Sequence, residues 1–505
     1  MSETINKMPK ASHPGPITDS EWDFRSTGEL VAALQARKVG SIELLEHTIA
    51  RIEALDQRFN AVVVRDFDRA RDAAKAADAA LPRGVRTPLL GIPITLKEAF
   101  NIAGLPTSWG YPQFWDFVPE EDALIVSRLK EAGAIIVGKT NLPVGLGDFQ
   151  SYNEIHGTTN NPWDVGRSPG GSSGGSAAAL AAGFGSLSIG SDIGGSLRVP
   201  AHFCGIYAHK PTFDLVPLRG YNPPSSRPLP GSGDLGVAGP MARCASDLLL
   251  ALGVIAGPDE AREGAGYRLE LPPARHDNLS EFRVLVIDSH PLMPASDVVR
   301  TAIARLAERI ARSGARVAHS SALLPNLTDS AGLYMKLLAA AKSTSMPPDR
   351  YARIEGQAAS MTIADHSLQA DRTRGTIMSH RNWLVCDAKR RGLQQQWRSL
   401  FREWDIVVYP SAAVPAFAHD HSEPIEARHL DINGRAYPYL DVCFTWADPA
   451  STFGLPATAV PIDHSSEGLP IGVQIIGPYL EDLTTINFAR LLEQEFGGFV
   501  RPPGV

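Results

Sequence analysis

The stretch SPGGSSGGSAAALAAG, Ser168 to Gly183, decides how this chain is read. Its middle, Gly170 to Gly174, fits the pattern G-x-S-x-G, in which a nucleophilic serine sits on a sharp turn between a buried strand and a helix. Such a turn needs the strand directly before it. The residues that stand there are NNPWDVGRSP, a run of turn formers that includes Pro162 and Pro169. An α/β-hydrolase elbow at Ser172, served by a distant histidine, is therefore an alternative that lacks its strand. The residues after Gly174 support another reading. The glycines run straight into an alanine-rich helical segment, as a linker would not. Glycines so placed free backbone N–H groups to point at a ligand.

Outward from this stretch, strands and helices alternate. LLGIPITLKEAF reads as a buried strand that ends at Lys97, and DALIVSRLKEAG as a helix closed by Gly133. SLSIGSD is a further strand. Near the N-terminus, Ile42, Leu45, Ile49 and Ile52 recur at helical spacing, with Ser41 as the expected N-cap. GAIIVGKT, Gly133 to Thr140, fits the phosphate-loop pattern at every position. A phosphate loop must keep its amides free to wrap the anion. Here the four variable positions, Ala134 to Val137, are all apolar, as in a buried strand whose amides are used up in a sheet. ATP binding is set aside on that ground. FRVLVIDSH, DIVVYPSAAVPA and GLPIGVQIIG read as later strands, residues 320–400 as mostly helical, and TTINFARLLEQEF as a closing helix. The alternation predicts an α/β fold with helices on the faces of a sheet. Residues 215–235 are rich in Pro and Gly and must form a long irregular loop, a kind that is often functional. No repeat or composition break divides the chain. The expectation is a flexible lead-in over residues 1–20, then one domain over 21–505 with insertions around 215–440.

The 505 residues are 44% apolar and 20% charged, with a formal net charge of −7. No run of Lys or Arg makes a basic stripe, which argues against a nucleic-acid partner. The N-terminal residues lack the apolar core of a signal peptide, and no apolar run reaches the roughly 18 residues of a membrane span. A cytoplasmic protein without a membrane partner is the expectation. The four cysteines, Cys204, Cys244, Cys386 and Cys443, are far apart and read as buried thiols. His419 and His421 are close in sequence but read as a solvated loop. No metal and no cofactor is expected.

The chemistry lies in three segments. Amide hydrolysis needs a nucleophile, a base and fixed donors for the oxyanion. In DIGGS, two glycines let the amides of Ile193, Gly194, Gly195 and Ser196 converge, and Ser196 brings a hydroxyl beside them. No histidine is near in sequence. A lysine can act as base when desolvation lowers its pKa toward neutrality, and Lys97, at a strand end, is the residue placed to do so. A bridging hydroxyl such as Ser172 could relay the proton.

These segments resemble those of the amidase signature family. GGSSGGSAAALAAG, SDIGGSLRVPAHFCGIYAHKPT and the upstream Lys in GIPITLKEAF are similar in order and spacing, with Ser172 and Ser196 24 residues apart. GAIIVGKTNLP and FGLPATAVP…GLPIGVQIIGP also resemble family segments. The resemblance implies a large mixed, twisted sheet of about eleven strands covered by helices on both faces. It implies Ser196 as the acylated nucleophile, Ser172 on a cis peptide bond as the middle residue, and Lys97 as the base. The oxyanion hole would be the amides of Ile193, Gly194, Gly195 and Ser196, with Asp192 and Arg198 bracing that loop. The substrate implied is a small-molecule amide, with an ester or carbamate as a further class, and the oligomer considered is a homodimer. A tRNA-dependent amidotransferase subunit that releases ammonia from glutamine carries the same residues and stands as the alternative. The chain departs from the family pattern at Val144, Gly145 and Ser451, positions that bear on pocket shape. Trp109, Tyr111, Leu146, Asp148, Tyr221 and Trp446 are the expected pocket residues.

Overall fold

The computed structural model of the chain describes residues 20–262 and 264–505. The lead-in expected over residues 1–20 lies, apart from Ser20, outside the described residues. An eleven-stranded sheet is built from β1 (Val62–Arg65), β2 (Pro93–Lys97), β3 (Ile135–Thr140), β4 (Leu187–Asp192), β5 (Tyr207–Lys210), β6 (Val237–Ala242), β7 (Arg283–Val286), β8 (Arg316–Ala318), β9 (Ile406–Pro410), β10 (Ala457–His464) and β11 (Pro470–Ile476). In space they follow the order β1-β3-β2-β4-β6-β5-β10-β11-β9-β7-β8. The pairs β2–β3, β2–β4, β7–β9 and β7–β8 are parallel, and the remaining pairs are antiparallel. The sheet is therefore mixed, with helices around it.

GAIIVGKT is the buried strand β3 and the turn into it. A Cβ on Gly138 would overlap the carbonyl of Val64 on the neighbouring strand, so the backbone here is packed into the sheet. Lys139 hydrogen-bonds the Pro106 carbonyl and Thr107 Oγ1, both at 2.6 Å, instead of reaching out to a ligand.

The alanine-rich helix, Gly174–Ala181, is buried on every side. Ala178 and Ala179 pack with Ile135 and Val137, while Ala177, Leu180 and Ala181 pack with Leu197, Ala201 and Met241. Small side chains are required because the helix is enclosed by two packed layers. Its first turn presses on β3, and a Cβ on Gly175 would overlap the backbone of Asn141. The residues before it form no strand, so Ser172 is not an α/β-hydrolase elbow. Gly171–Ser172 is a cis peptide bond.

Several smaller expectations are corrected. The helix Ser41–Phe59 is capped by Gly40, not by Ser41. Asp78, reaching across from another helix, accepts the amides of Ser41 (2.6 Å) and Ile42 (3.1 Å), and Ser41 Oγ turns inward to the Gly91 carbonyl. Cys204 and Cys443 are buried as expected, whereas Cys244 and Cys386 are only half-buried. Among the described residues no helix is long and apolar enough to cross a membrane. Because Asp78 satisfies two helix-end donors, Asp78→Ala should lower stability by about 0.5–2 kcal/mol. Urea unfolding checks this, and an unchanged midpoint would show that water replaces the carboxylate without loss.

Candidate active site

Lys97 is the last residue of β2, which lies between β3 and β4 in the sheet, and it is fully buried. Its Nζ lies 2.6 Å from Ser172 Oγ, 2.9 Å from Ser191 Oγ and 3.1 Å from Ser173 Oγ. Ser172 and Ser173 come from the turn before the alanine-rich helix, and Ser191 from β4. Burial pulls the Lys97 pKa well below the usual lysine range, and the more distant charge of Asp192 works weakly the other way. A hydroxyl cage can solvate an amine, but it offers no counter-charge to hold a proton on it.

The other bonds of the cage constrain which hydroxyl can meet the amine's lone pair. Ser173 Oγ accepts the Ser191 amide and donates to the Ser191 carbonyl, so toward Lys97 it is an acceptor. Ser191 Oγ accepts the Tyr221 hydroxyl at 2.7 Å. Tyr221 is wedged between Phe100 and Trp109, with ring centroids at 5.0 and 5.2 Å. Burial pushes its phenol up, so it remains a donor. Ser173 and Ser191 were not singled out in the sequence. The repeated Ser in GGSSGG and the Ser before Asp192 were the only available signals.

Asp192 and Arg198 form a fully buried ion pair, with Nη2–Oδ1 at 2.9 Å and Nε–Oδ2 at 3.1 Å. Arg198 also reaches the Ala447 carbonyl, Gln474 Oε1 and Ser451 Oγ, which gives Ser451 a bracing role. Burial raises the Asp192 carboxyl, but Arg198 and the amides of Leu197 and Gly195 outweigh it and hold the group down at about 2. This corrects one expectation. The Gly195 amide donates to Asp192 Oδ1 at 2.8 Å, so it is not free for an oxyanion. The loop amides of Ile193, Gly194 and Ser196 remain. Ser196 is 7% exposed, and among the described residues its hydroxyl has no hydrogen-bond partner.

Ser172, Ser191 and Ser196 all line one cavity of about 780 Å³. Trp109, Leu146 and Tyr221 line it as expected. Three other expected pocket residues do not. Asp148 is held by Arg428 (2.7 Å) and the Tyr439 hydroxyl (2.6 Å) behind the wall. Trp446 is fully buried against Tyr409 and His290. Tyr111 packs under Gly145, where a Cβ would overlap its hydroxyl, so it supports the wall instead of forming it. That contact accounts for glycine at 145, one of the departures seen in the sequence. The Pro-rich loop between β5 and β6 supplies much of the opposite wall, and the helices Leu327–Ser343 and His380–Glu403 close it with residues such as Lys342 and Trp383.

The family model described as Amidase matches residues 43–486. This chain belongs to the amidase signature family. It is a hydrolase acting on amides. Among curated relatives, the fatty-acid amide hydrolase 2-A of Danio rerio is 31% identical over 503 residues, 95% of this chain and 90% of that protein. A glutamyl-tRNA(Gln) amidotransferase subunit of Nitrosococcus oceani is 30% identical over 93% of this amidase and 97% of that protein. A solved inhibitor-bound complex, described as revealing the origins of an s-triazine catabolic enzyme, superposes with a TM-score of 0.78 at 28% identity, covering 95% of this chain and all of that one.

Removing Arg198 would leave Asp192 charged and buried without its partner. Arg198→Met in this amidase should therefore cost about 3–5 kcal/mol of stability. Denaturant unfolding measures it, and a loss under about 1 kcal/mol would mean that water reaches Asp192.

Proposed function

We propose that this amidase hydrolyses a small-molecule amide through a serine acyl-enzyme, with Lys97 as base, Ser172 as proton relay and Ser196 as nucleophile. The observation that supports it best is the 2.6 Å contact between the buried Lys97 amine and Ser172. A neutral lysine has two N–H groups and one lone pair. If the two N–H groups are spent on Ser173 and Ser191, the lone pair is left to accept the proton of Ser172.

In the first half-reaction Ser196 Oγ attacks the substrate carbonyl carbon. Its proton passes to Ser172, whose own proton passes to Lys97. The carbonyl oxygen becomes an oxyanion, held by the amides of Ile193, Gly194 and Ser196. Each such donor lowers the barrier by roughly 3–4 kcal/mol. As the tetrahedral species collapses, the C–N bond breaks and the leaving nitrogen takes a proton back through Ser172, departing as ammonia or an amine. Water then attacks the acyl-enzyme, giving up its proton along the same route. The second tetrahedral species collapses, the bond from the acyl carbon to Ser196 Oγ breaks, and Ser196 takes a proton back from Lys97 through Ser172 as the carboxylic acid leaves. Asp192 and Arg198 hold the loop without entering the proton path. The same reading places the enzyme in the cytoplasm as a single amidase-signature domain over residues 21–505.

Ser196→Ala should abolish both turnover and covalent labelling by a fluorophosphonate, read by intact-protein mass. Labelling that persists at full rate in this variant would remove Ser196 from the role. The pH profile tests Lys97. Protonated Lys97 cannot accept a proton, so kcat/KM should fall as pH drops through its lowered pKa and level off above it. Lys97→Met should lose at least about 10²-fold in kcat/KM, in line with general-base contributions, together with that acid limb. An unchanged acid limb in the variant would assign the titration elsewhere. A panel with glutamine beside alkyl and aryl amides separates this reading from that of an amidotransferase subunit, for which glutamine would be the best substrate.

A further inference from the structure

The wall of the catalytic cavity carries an unbalanced charge. Asp192 is neutralised by Arg198. Asp234 and Asp387 face Arg390 and Arg391, with Arg390 bonded to both carboxylates at 2.6 Å and Arg391 to Asp387 at 3.2 Å. Two aspartates against two arginines leave no net charge there. Lys342 and Arg227 also line the cavity, and among the described residues neither has a hydrogen-bond or ion-pair partner for its cationic group. Arg227 is exposed, on the Pro-rich loop at the cavity edge.

Lys342 is the more constrained of the two. It lies near the C-terminal end of the helix Leu327–Ser343 and is half-buried. A Cβ on Gly147 would lie 3.9 Å from its Nζ, which puts the ammonium beside the turn that carries the wall residues Gly145 and Leu146. The charged groups around it are already matched. Asp148 is held by Arg428 and Tyr439, Arg372 by Asp441 at 2.8 Å, and Arg350 by Glu426 at 3.4 Å. Burial, with Arg350 and Arg372 nearby and only Asp148 opposing, pulls the Lys342 pKa to about 8. A partly desolvated cation without a partner is an unfavourable arrangement that an arriving anion relieves. The cavity wall also carries the apolar side chains of Trp109, Leu146, Met378 and Trp383.

We propose that the substrate of this cavity is an amide that also carries a carboxylate, bound by Lys342 with Arg227 as a second cation at the entrance, while the apolar wall holds the rest of the molecule. The inference rests on the amide-hydrolase reading of the same cavity and adds the charge of its substrate.

The test uses binding, so that it does not depend on turnover. In a Ser196→Ala background, calorimetry compares two matched pairs in which a carboxylate is replaced by methyl. Glutaranilic acid against valeranilide places the charge on the acyl side. 4-Butyramidobenzoate against N-(4-methylphenyl)butanamide places it on the amine side. The proposal expects at least one carboxylate ligand to bind about 10-fold tighter than its methyl partner, a difference of about 1.4 kcal/mol. Lys342→Met should bring that ratio to within about 2-fold, and Lys342→Arg should keep it. If the Met variant does not fold, Lys342→Gln gives the same comparison with the charge removed and polarity kept. No preference in either pair, no binding of any of the four ligands, or a preference that survives loss of the charge at 342 would overturn the proposal. Fluorophosphonate labelling of the wild-type protein reports separately on the hydrolase reading. Labelling without carboxylate preference would sink only the anion site. Preference without labelling would sink only the acyl-enzyme.

Discussion

The arrangement on which the site depends is an amine buried among three hydroxyls. Lys97 ends a strand with a neighbour on either side, and its three hydrogen-bond partners are serines. A carboxylate in that position would have kept the lysine charged, since an opposite charge within about 4–6 Å favours the ionised form. Hydroxyls satisfy the N–H groups and leave desolvation to decide the protonation state. The large sheet makes this possible. Its adjacent strands β2 and β4 hold Lys97 and Ser191 in fixed register, and the closely packed alanine helix holds the turn that carries Ser172 and Ser173.

Asp192, whose charge acts on Lys97, is managed by a second arrangement. Asp192 adjoins Ser191 in sequence, yet its charge is matched within bonding distance by Arg198 and by the amides of Gly195 and Leu197. The pair therefore shapes the loop that presents Ser196 and does little to restore the proton on Lys97. It also explains why only part of a glycine-rich loop can face a substrate. The amide of Gly195 serves to fix the loop, and among the described residues the amides on either side of it have no partner. A buried charge pair and a buried amine can stand this close only because each is satisfied internally.

Much of this was legible in the sequence where chemistry is local. The glycine-serine run, the DIGGS loop and a lysine at the end of an apolar strand each carry their own signal, and so does the apolar filling that disqualifies GAIIVGKT as a phosphate loop. Orientation was not legible. Ser173 and Ser191 look like their neighbours until the fold turns them toward Lys97. Asp148 and Trp446 were expected at the cavity, but a carboxylate facing Arg428 and an indole packed at a tilt against Tyr409 belong to the packing behind it. Ser41 has the right residue type for a cap, yet Gly40 stands at that position and Asp78, from the neighbouring helix, accepts the first amides. Lys342 and Trp383 come from a stretch that reads only as helical, and nothing in it shows that those helices close the cavity.

The most direct test of the account is the protonation state of Lys97 itself. With lysine labelled at the ε carbon and nitrogen, and Lys97 assigned by comparison with Lys97→Met, NMR titration reads its pKa without reference to activity. The account predicts a value well below the usual lysine range, with the amine uncharged at neutral pH. A titration near the ordinary value of about 10.4 would contradict it, because a lysine that keeps its proton cannot accept one from Ser172.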